Sequence, residues 1–177
     1  MITIENFVEP SIIRNPKILF ITENCPNLGM YFYRTLYENP YTNSRHANNL
    51  LNNLCTATRI QEGNEIDKLN AFINKKKYAL IDTFVNGQEW NINTPSHNLK
   101  DICDDIIFLD PEQIIFTCLR SNGRLFNKIE LGLNENIRSK IIRRSDGNNV
   151  FNSPSNRAFP GFLTQINQAI NDGNLIL

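Results

Sequence analysis

The chain has 177 residues, enough for one domain, and its hydrophobic share of 41% suffices for one core. Basic and acidic side chains balance at 18 each, which argues against a protein that coats nucleic acid non-specifically but leaves room for one local DNA-binding patch. No apolar run approaches the roughly 20 residues that span a bilayer, and the first residues do not resemble a signal peptide. We therefore expect a single cytoplasmic domain over residues 1–177 with no membrane partner.

Four short apolar runs are predicted to be strands, because each is followed by polar or turn-forming residues. They are Lys17–Thr22, Tyr78–Asp82, Gln113–Leu119 and Val150–Asn152. Continuous apolar strands are typical of a sheet that is buried on both faces, and such a sheet is usually parallel.

Helical patterns lie between these runs, with apolar residues at spacings of three and four. Ser44 and Ser96 are candidate N-caps for two of the helices. The inward residues of the helices, in chain order, are Ala47, Leu50, Leu51 and Leu54; Ile66, Leu69, Phe72 and Ile73; Leu99, Ile102, Cys103 and Ile106; Leu125, Ile129 and Leu133; and Phe162, Ile166 and Ile170. The alternation predicts an α/β fold, a single-domain three-layer sandwich with a central, mainly parallel four-stranded sheet flanked by helices. Only the segment 136–149 shows no clear pattern.

Ligands of such folds bind beyond the carboxyl ends of the strands. The first strand is followed there by a carboxylate beside an amide, Glu23 and Asn24, and then by three aromatic residues, Tyr31, Phe32 and Tyr33. The rings could stack on a planar ligand. The alternative is that the rings belong to the core and its rim, and that Asn24 forms a turn.

Cofactor chemistry has little support in the sequence. The loop after the first strand holds one glycine, Gly29, whereas phosphate-cradling loops need several glycines or hydroxyl donors. The four cysteines (Cys25, Cys55, Cys103 and Cys118) form no C-x-x-C pair, and neither histidine has ligand spacing from them. We expect buried free thiols, no metal and no cofactor.

The run Ile21-Thr-Glu-Asn-Cys-Pro26, followed by Tyr-Phe-Tyr at 31–33, resembles the first motif of the uracil-DNA glycosylase superfamily. That motif is a strand ending in sequences such as Gly-Glu-Ala-Pro-Gly or Gly-Gln-Asp-Pro-Tyr, and one branch reads roughly Glu-Ser-Pro-Pro, a short gap, then Tyr-Phe-Tyr. The alignment puts Asn24 where the superfamily has its water-positioning Asp or Asn, and Glu23 just before it.

A second resemblance lies after the last strand, where Asn152-Ser-Pro-Ser-Asn-Arg157 and Phe159-Pro-Gly161 are similar to the Ser/Pro-rich DNA-contacting loop of the superfamily. It implies that Ser153, Ser155, Asn156 and Arg157 contact the DNA backbone. The alternative is a loop that only caps the last helix. Asp82 takes the place of an Asn that reads uracil; because a carboxylate only accepts hydrogen bonds, the resemblance implies a differently functionalised base or a lost activity.

The resemblance as a whole implies a monomeric, monofunctional DNA glycosylase that uses an activated water to cleave the N-glycosidic bond of an extruded damaged or mismatched base of the uracil type, in duplex or single-stranded DNA. Two alternatives stay open: a non-catalytic module with this fold that binds a nucleotide or a protein, and a nucleotide-handling enzyme whose Glu23 and Asn24 hold a ribose. A phosphate patch would come from one of two basic groups. One comprises Arg138, Lys140, Arg143 and Arg144, and the other Arg120 and Arg124, whereas Lys75, Lys76 and Lys77 are predicted to be a solvated turn.

Overall fold

The computed structural model describes residues 14–22, 45–61, 63–82, 97–118 and 123–177. The strands in these ranges are β1 (Ile18–Thr22), β2 (Tyr78–Asp82), β3 (Ile114–Cys118) and β4 (Val150–Asn152). The helices are α1 (Arg45–Ala57), α2 (Glu65–Asn70), α3 (His97–Leu109), α4 (Gly123–Gly132), α5 (Glu135–Arg138) and α6 (Phe159–Asn171), and α2 continues as a π-helical turn over Ala71–Lys75. None of the helices in the described ranges is long and apolar enough to cross a membrane.

The strands form one sheet in the order β2-β1-β3-β4, and all neighbours are parallel. The prediction of a parallel sheet is therefore confirmed. β1 lies between β2 and β3, so the chain builds first to one side of β1 and then crosses to its other side. The strand order thus reverses between β1 and β3.

Helices cover both faces of the sheet, which confirms the three-layer α/β architecture. Successive residues of a strand point to opposite faces. On β1, Ile18 and Phe20 pack with α1, α2, the π-helical turn and α6, whereas Leu19 and Ile21 pack with α3, α4 and α5. Each face has its own core, and the apolar runs are continuous because both faces exclude water.

β3 begins one residue after the start of the predicted run, and Leu119, the last residue of that run, lies outside the described residues. Gln113 lies just before the strand, although its carbonyl still accepts from the N–H of Leu19 on β1 at 2.8 Å. In its side chain, Oε1 accepts from the backbone N–H of Ile176 at 2.9 Å and Nε2 donates to the carbonyl of Ile176 at 2.8 Å. This amide pairs with the C-terminal residues much as a neighbouring strand would, and it holds Leu175 in the core. Lys17 likewise precedes β1.

The segment 136–149, which showed no pattern in the sequence, adds a short connection along the sheet. It contains the end of α5, after which Ile141 forms a parallel bridge with Ile114 at the start of β3. Ile141 and Ile142 are both buried, one in each core. These neighbours alternate like strand residues, although no repeat in the sequence was long enough to indicate a strand.

Candidate functional site

The end of β1 lies at the topological switch point of the sheet. Thr22 pairs in register with Thr117 on β3, which is the neighbour across which the strand order reverses. In open α/β sheets, ligands bind in the crevice outside the carboxyl ends of the strands at such a point. Glu23 and Asn24 follow Thr22 directly in the chain. These two residues and the aromatic residues Tyr31, Phe32 and Tyr33 lie outside the described residues.

Polar residues take neighbouring register positions at this edge. Asp82, the last residue of β2, pairs with Thr22, which in turn pairs with Thr117. Both threonines are buried, with 7% of Thr22 and 1% of Thr117 exposed, and Thr117 Oγ1 donates to the carbonyl of Ile21 at 3.4 Å. Sequence reasoning did not single out Thr117, although it is the hydroxyl-bearing residue in an otherwise apolar run that ends beside β1.

The loop after β4 leaves the sheet at the same edge. Asn152 pairs with Cys118 at the carboxyl end of β3, and the loop 153–158 then leads into α6. β4 is two strands away from β1, which corresponds to about 10 Å at ordinary strand spacing. The segments that carry the two sequence motifs therefore begin close together.

The loop 153–158 is folded by its own hydrogen bonds. The N–H of Ser155 donates to Ser153 Oγ at 3.2 Å, and the N–H of Ala158 donates to the carbonyl of Ser155 at 3.0 Å. The Ser155 hydroxyl oxygen is buried and has no hydrogen-bond partner in the part of the chain that the structure describes, whereas Asn156 and Arg157 are exposed. Of the four residues predicted to contact DNA, these last two are the ones whose side chains are most open to a ligand.

The side chain of Asn53 on α1 joins this loop to the helix that follows segment 23–44. Its Nδ2 donates to the carbonyl of Pro154 at 2.6 Å and to Asn156 Oδ1 at 3.0 Å. Sequence reasoning missed Asn53. The available signal was its spacing, since it lies three residues after Leu50 and four before Ala57, in line with the inward face of the helix.

The start of α6 packs closely on the end of β4. The N–H of Asn152 donates to Gln165 Oε1 at 2.7 Å, so the helix satisfies a backbone group at the edge of the sheet. A Cβ at Gly161 would lie 2.2 Å from Asn152 Nδ2, so glycine leaves the space that this amide occupies. The helix and the strand together fix both ends of the loop 153–158.

The basic group at 138–144 does not flank the candidate site. It surrounds Ile141, which bridges to the first residue of β3 and so lies at the amino edge of the sheet, opposite the switch point. Its members are also paired: Arg138 donates to the carbonyls of Glu130 and Leu133, Lys140 pairs with Asp110, Arg143 with Glu130 and Arg144 with Asp146. The group therefore lies in the wrong place to bind phosphate at this site. Its side chains instead stabilise the end of α4 and the turns around it. Arg120 and the side chain of Arg124 lie outside the described residues.

The cysteines Cys55, Cys103 and Cys118 are buried free thiols, as predicted, and Cys25 lies outside the described residues. Burial is the main cause that raises the pKa of the Cys103 thiol, and the nearby Asp104 carboxylate adds to it. Within the described ranges, no group of three or more His, Cys, Asp and Glu side chains is arranged to hold a metal ion.

Comparisons of the chain with protein-family models, with curated proteins and with solved structures found no match. The resemblance to the uracil-DNA glycosylase superfamily thus stays a prediction that rests on the two motifs. The structure adds the positions of β1 and β4, the strands that the two motifs follow.

Proposed function

We propose that the protein is a DNA glycosylase that releases an extruded base by attack of water on the sugar. The observation that carries the proposal is the shared edge: the residues after β1 leave the sheet at its switch point, and the loop 153–158 leaves the same edge two strands away. A glycosylase needs both elements together, because one must act on the sugar carbon while the other holds the deformed DNA backbone.

Recognition would begin with extrusion of the target nucleotide, which costs a few kcal/mol in lost stacking and pairing. We propose that the ring of Tyr31, Phe32 or Tyr33 stacks on the extruded base and offsets part of that cost. Asn156 and Arg157, which are exposed on the loop, would contact phosphates on either side of the gap. The protein would do this as a monomer, on duplex or single-stranded DNA.

Cleavage of the N-glycosidic bond leaves positive charge on the sugar and negative charge on the departing base. We assign Asn24 to hold a water molecule beneath the sugar carbon, where the water oxygen forms the new bond as the bond to the base breaks. Glu23 would take the proton of that water or stabilise the cationic sugar. The base leaves with the bonding electrons and is protonated on release.

The choice of base would depend on Asp82, which is the register partner of Thr22 at the end of β2. A carboxylate accepts hydrogen bonds and cannot donate them. It would suit a base edge that presents N–H donors and would repel a carbonyl oxygen. We therefore propose a substrate base with more donors than uracil on the edge that is read.

A panel of labelled oligonucleotides tests the proposal. Each would carry uracil, hypoxanthine, a mismatched thymine or 8-oxoguanine, the last because its pairing edge presents more N–H donors than that of uracil, in duplex and in single-stranded form, and abasic sites would be revealed by alkaline strand cleavage. Release of at least one base, with multiple turnovers, supports a glycosylase. Binding without release of any base from a broader set of modified oligonucleotides would contradict it.

The second candidate is a non-catalytic module of the same fold that binds a nucleotide or a protein. The pairing of the 138–144 basic group at the far edge of the sheet favours it, because those charges are committed to the fold rather than to DNA. A nucleotide that binds without being cleaved, with an affinity that responds weakly to added salt, would favour this candidate over the glycosylase.

A further inference from the structure

We infer that Asn53 is a positioning residue that sets the loop 153–158 for DNA contact; the inference rests on the proposed function. Asn53 lies on α1, outside both sequence motifs, and its side chain reaches the loop that carries the second one. The role assigned to it is to fix the loop relative to α1 and to orient the amide of Asn156.

The geometry uses both hydrogens of one amide group. Asn53 Nδ2 has two N–H bonds, and it has two acceptors, the Pro154 carbonyl at 2.6 Å and Asn156 Oδ1 at 3.0 Å. One acceptor is backbone and the other is a side chain, so the same group fixes the path of the loop and the rotation of one amide. A carboxylate could not replace it, since both partners are acceptors, and a hydroxyl could donate to only one of them.

The loop depends on this contact for its attachment to a separate element. Its own hydrogen bonds run within 153–158, and Asn152 just before it bonds to α6, which directly follows the loop in the chain. Among the hydrogen bonds of the described ranges, those from Asn53 are the ones that reach the loop from elsewhere in the sequence, across 101 and 103 residues. Without Asn53, the Pro154 carbonyl would lose this hydrogen bond. Because Pro154 is buried, water would not readily replace the lost donor.

The contact with Asn156 has a chemical consequence for DNA binding. Because Asn156 Oδ1 accepts from Asn53, the Nδ2 group is the branch of that amide that remains free to point toward a ligand. A phosphate oxygen needs a donor, and Nδ2 is the donor branch. Asn53 therefore holds Asn156 in the orientation that suits phosphate instead of the reverse one.

The contact also ties the second motif's loop to α1, the next helix of the structure after the first motif. It acts on the position of the loop and not on Glu23 and Asn24, which lie outside the described residues. Loss of the contact should weaken DNA binding more than it slows the chemical step.

Asn53→Asp is the test, because it keeps the size of the side chain and removes both donors. Asn52→Asp is the matched control: it adds the same charge on the same helix, but Asn52 Oδ1 accepts from Lys68 Nζ at 2.6 Å, a bond that a carboxylate keeps. For Asn53→Asp we expect a KM about tenfold higher for the oligonucleotide that the wild type cleaves, a kcat changed by less than about twofold, and hydrogen exchange of the 153–158 amides about tenfold faster. Asn52→Asp should match the wild type in all three quantities.

The inference would be overturned by hydrogen exchange of the loop that is the same in Asn53→Asp and wild type, or by faster exchange with an unchanged KM. A kcat that falls while KM stays constant would also overturn it, since that pattern belongs to a group acting on the chemical step. Failure of the proposed function looks different. In that case the wild type releases no base, and the exchange comparison still decides whether Asn53 anchors the loop.

Discussion

Thr22 on β1 and Thr117 on β3 are register partners at the point where the strand order of the sheet reverses, and both are buried. The chain segments that continue from these two strands diverge, because the connection from β1 leads to β2 on one side and β3 leads to β4 on the other. A crevice forms where such connections separate. The residues that follow Thr22 are therefore the first candidates for catalytic residues.

Replacement of either residue that follows Thr22 should abolish base release. We expect Asn24→Ala and Glu23→Ala each to lower kcat by about 100-fold or more, the usual range for loss of a group that positions or activates water. The measurement is single-turnover release from the best oligonucleotide of the panel. Thermal unfolding should be close to wild type for both variants, and unchanged turnover in both would remove the assignment.

Asp82→Asn should move the preference toward uracil. The amide adds a donor at a position that holds only acceptors, so it can bond to a carbonyl oxygen that the carboxylate repels. We expect the ratio of kcat/KM for uracil to that for the preferred base to rise about tenfold or more. A ratio that stays constant while both rates change together would show that Asp82 does not read the base.

Arg157 and Arg143 should differ in their effect on DNA binding, although both are exposed. Arg157 lies on the loop at the carboxyl edge, whereas Arg143 pairs with Glu130 in the group at the amino edge. Arg157→Ala should weaken binding and reduce the slope of log K against log salt by about one. Arg143→Ala should leave both quantities unchanged, and an equal response of the two variants would contradict the location of the interface.

The sheet could be predicted from the sequence because a strand that is buried on both faces consists of a continuous apolar run. β2 and β4 match their predicted bounds, and the α/β architecture followed from the alternation of strands and helices. The first predicted helix is likewise present as α1, with Leu51 and Leu54 buried as expected, whereas its predicted cap, Ser44, lies outside the described residues. Local periodicity carries this information, so no long-range contact was needed.

The parts that could not be predicted depend on contacts between distant residues. Asn53 and Pro154 are 101 residues apart, and nothing in either local sequence indicates the other. The bridge between Ile114 and Ile141 is a single pair, too short to produce a repeat. Charge clustering around 138–144 was visible in the sequence, but its partners Glu130 and Asp110 were not, so pairing within the fold could be mistaken for a DNA patch.

Tyr78 should make the protein less stable at high pH. It is fully buried, its hydroxyl has no hydrogen-bond partner among the described residues, and burial raises its pKa to about 12. The unfolded chain loses this proton near pH 10, whereas the folded protein keeps it, so the unfolded state binds fewer protons between these values. The free energy of unfolding therefore holds below about pH 10 and falls as the pH rises toward 12, by about 3 kcal/mol in total from this group.

Tyr78→Phe removes both the ionisation and the unpartnered hydroxyl. At neutral pH we expect the variant to equal or exceed the wild type by up to about 2 kcal/mol, since the buried hydroxyl is a desolvation cost without a bond. The stability difference between the two proteins should then grow in favour of the variant from pH 10 upward. Urea denaturation at pH 7, 9 and 10.5 measures it, and a variant that is less stable throughout would mean that the hydroxyl has a partner.

Gly161→Ala should displace the side chain of Asn152. A new Cβ would lie 2.2 Å from Asn152 Nδ2, so the amide must leave its place over the first turn of α6. Nδ2 is the far end of a side chain that can rotate, so this move costs little, and alanine in a helix normally gains up to about 1 kcal/mol over glycine. We expect the free energy of unfolding in urea denaturation to stay within about 1 kcal/mol of the wild type.

Hydrogen exchange separates the displaced amide from the general effect of replacing a glycine. Because Asn152 leads into the loop 153–158, its displacement in Gly161→Ala should speed hydrogen exchange of the loop amides. Gly63→Ala is the control for the substitution: a Cβ there meets nothing within 4 Å, so we expect no loss of stability and no change in the exchange of the loop. If the loop amides exchange at the wild-type rate in Gly161→Ala, the side chain of Asn152 does not pack on α6 in solution.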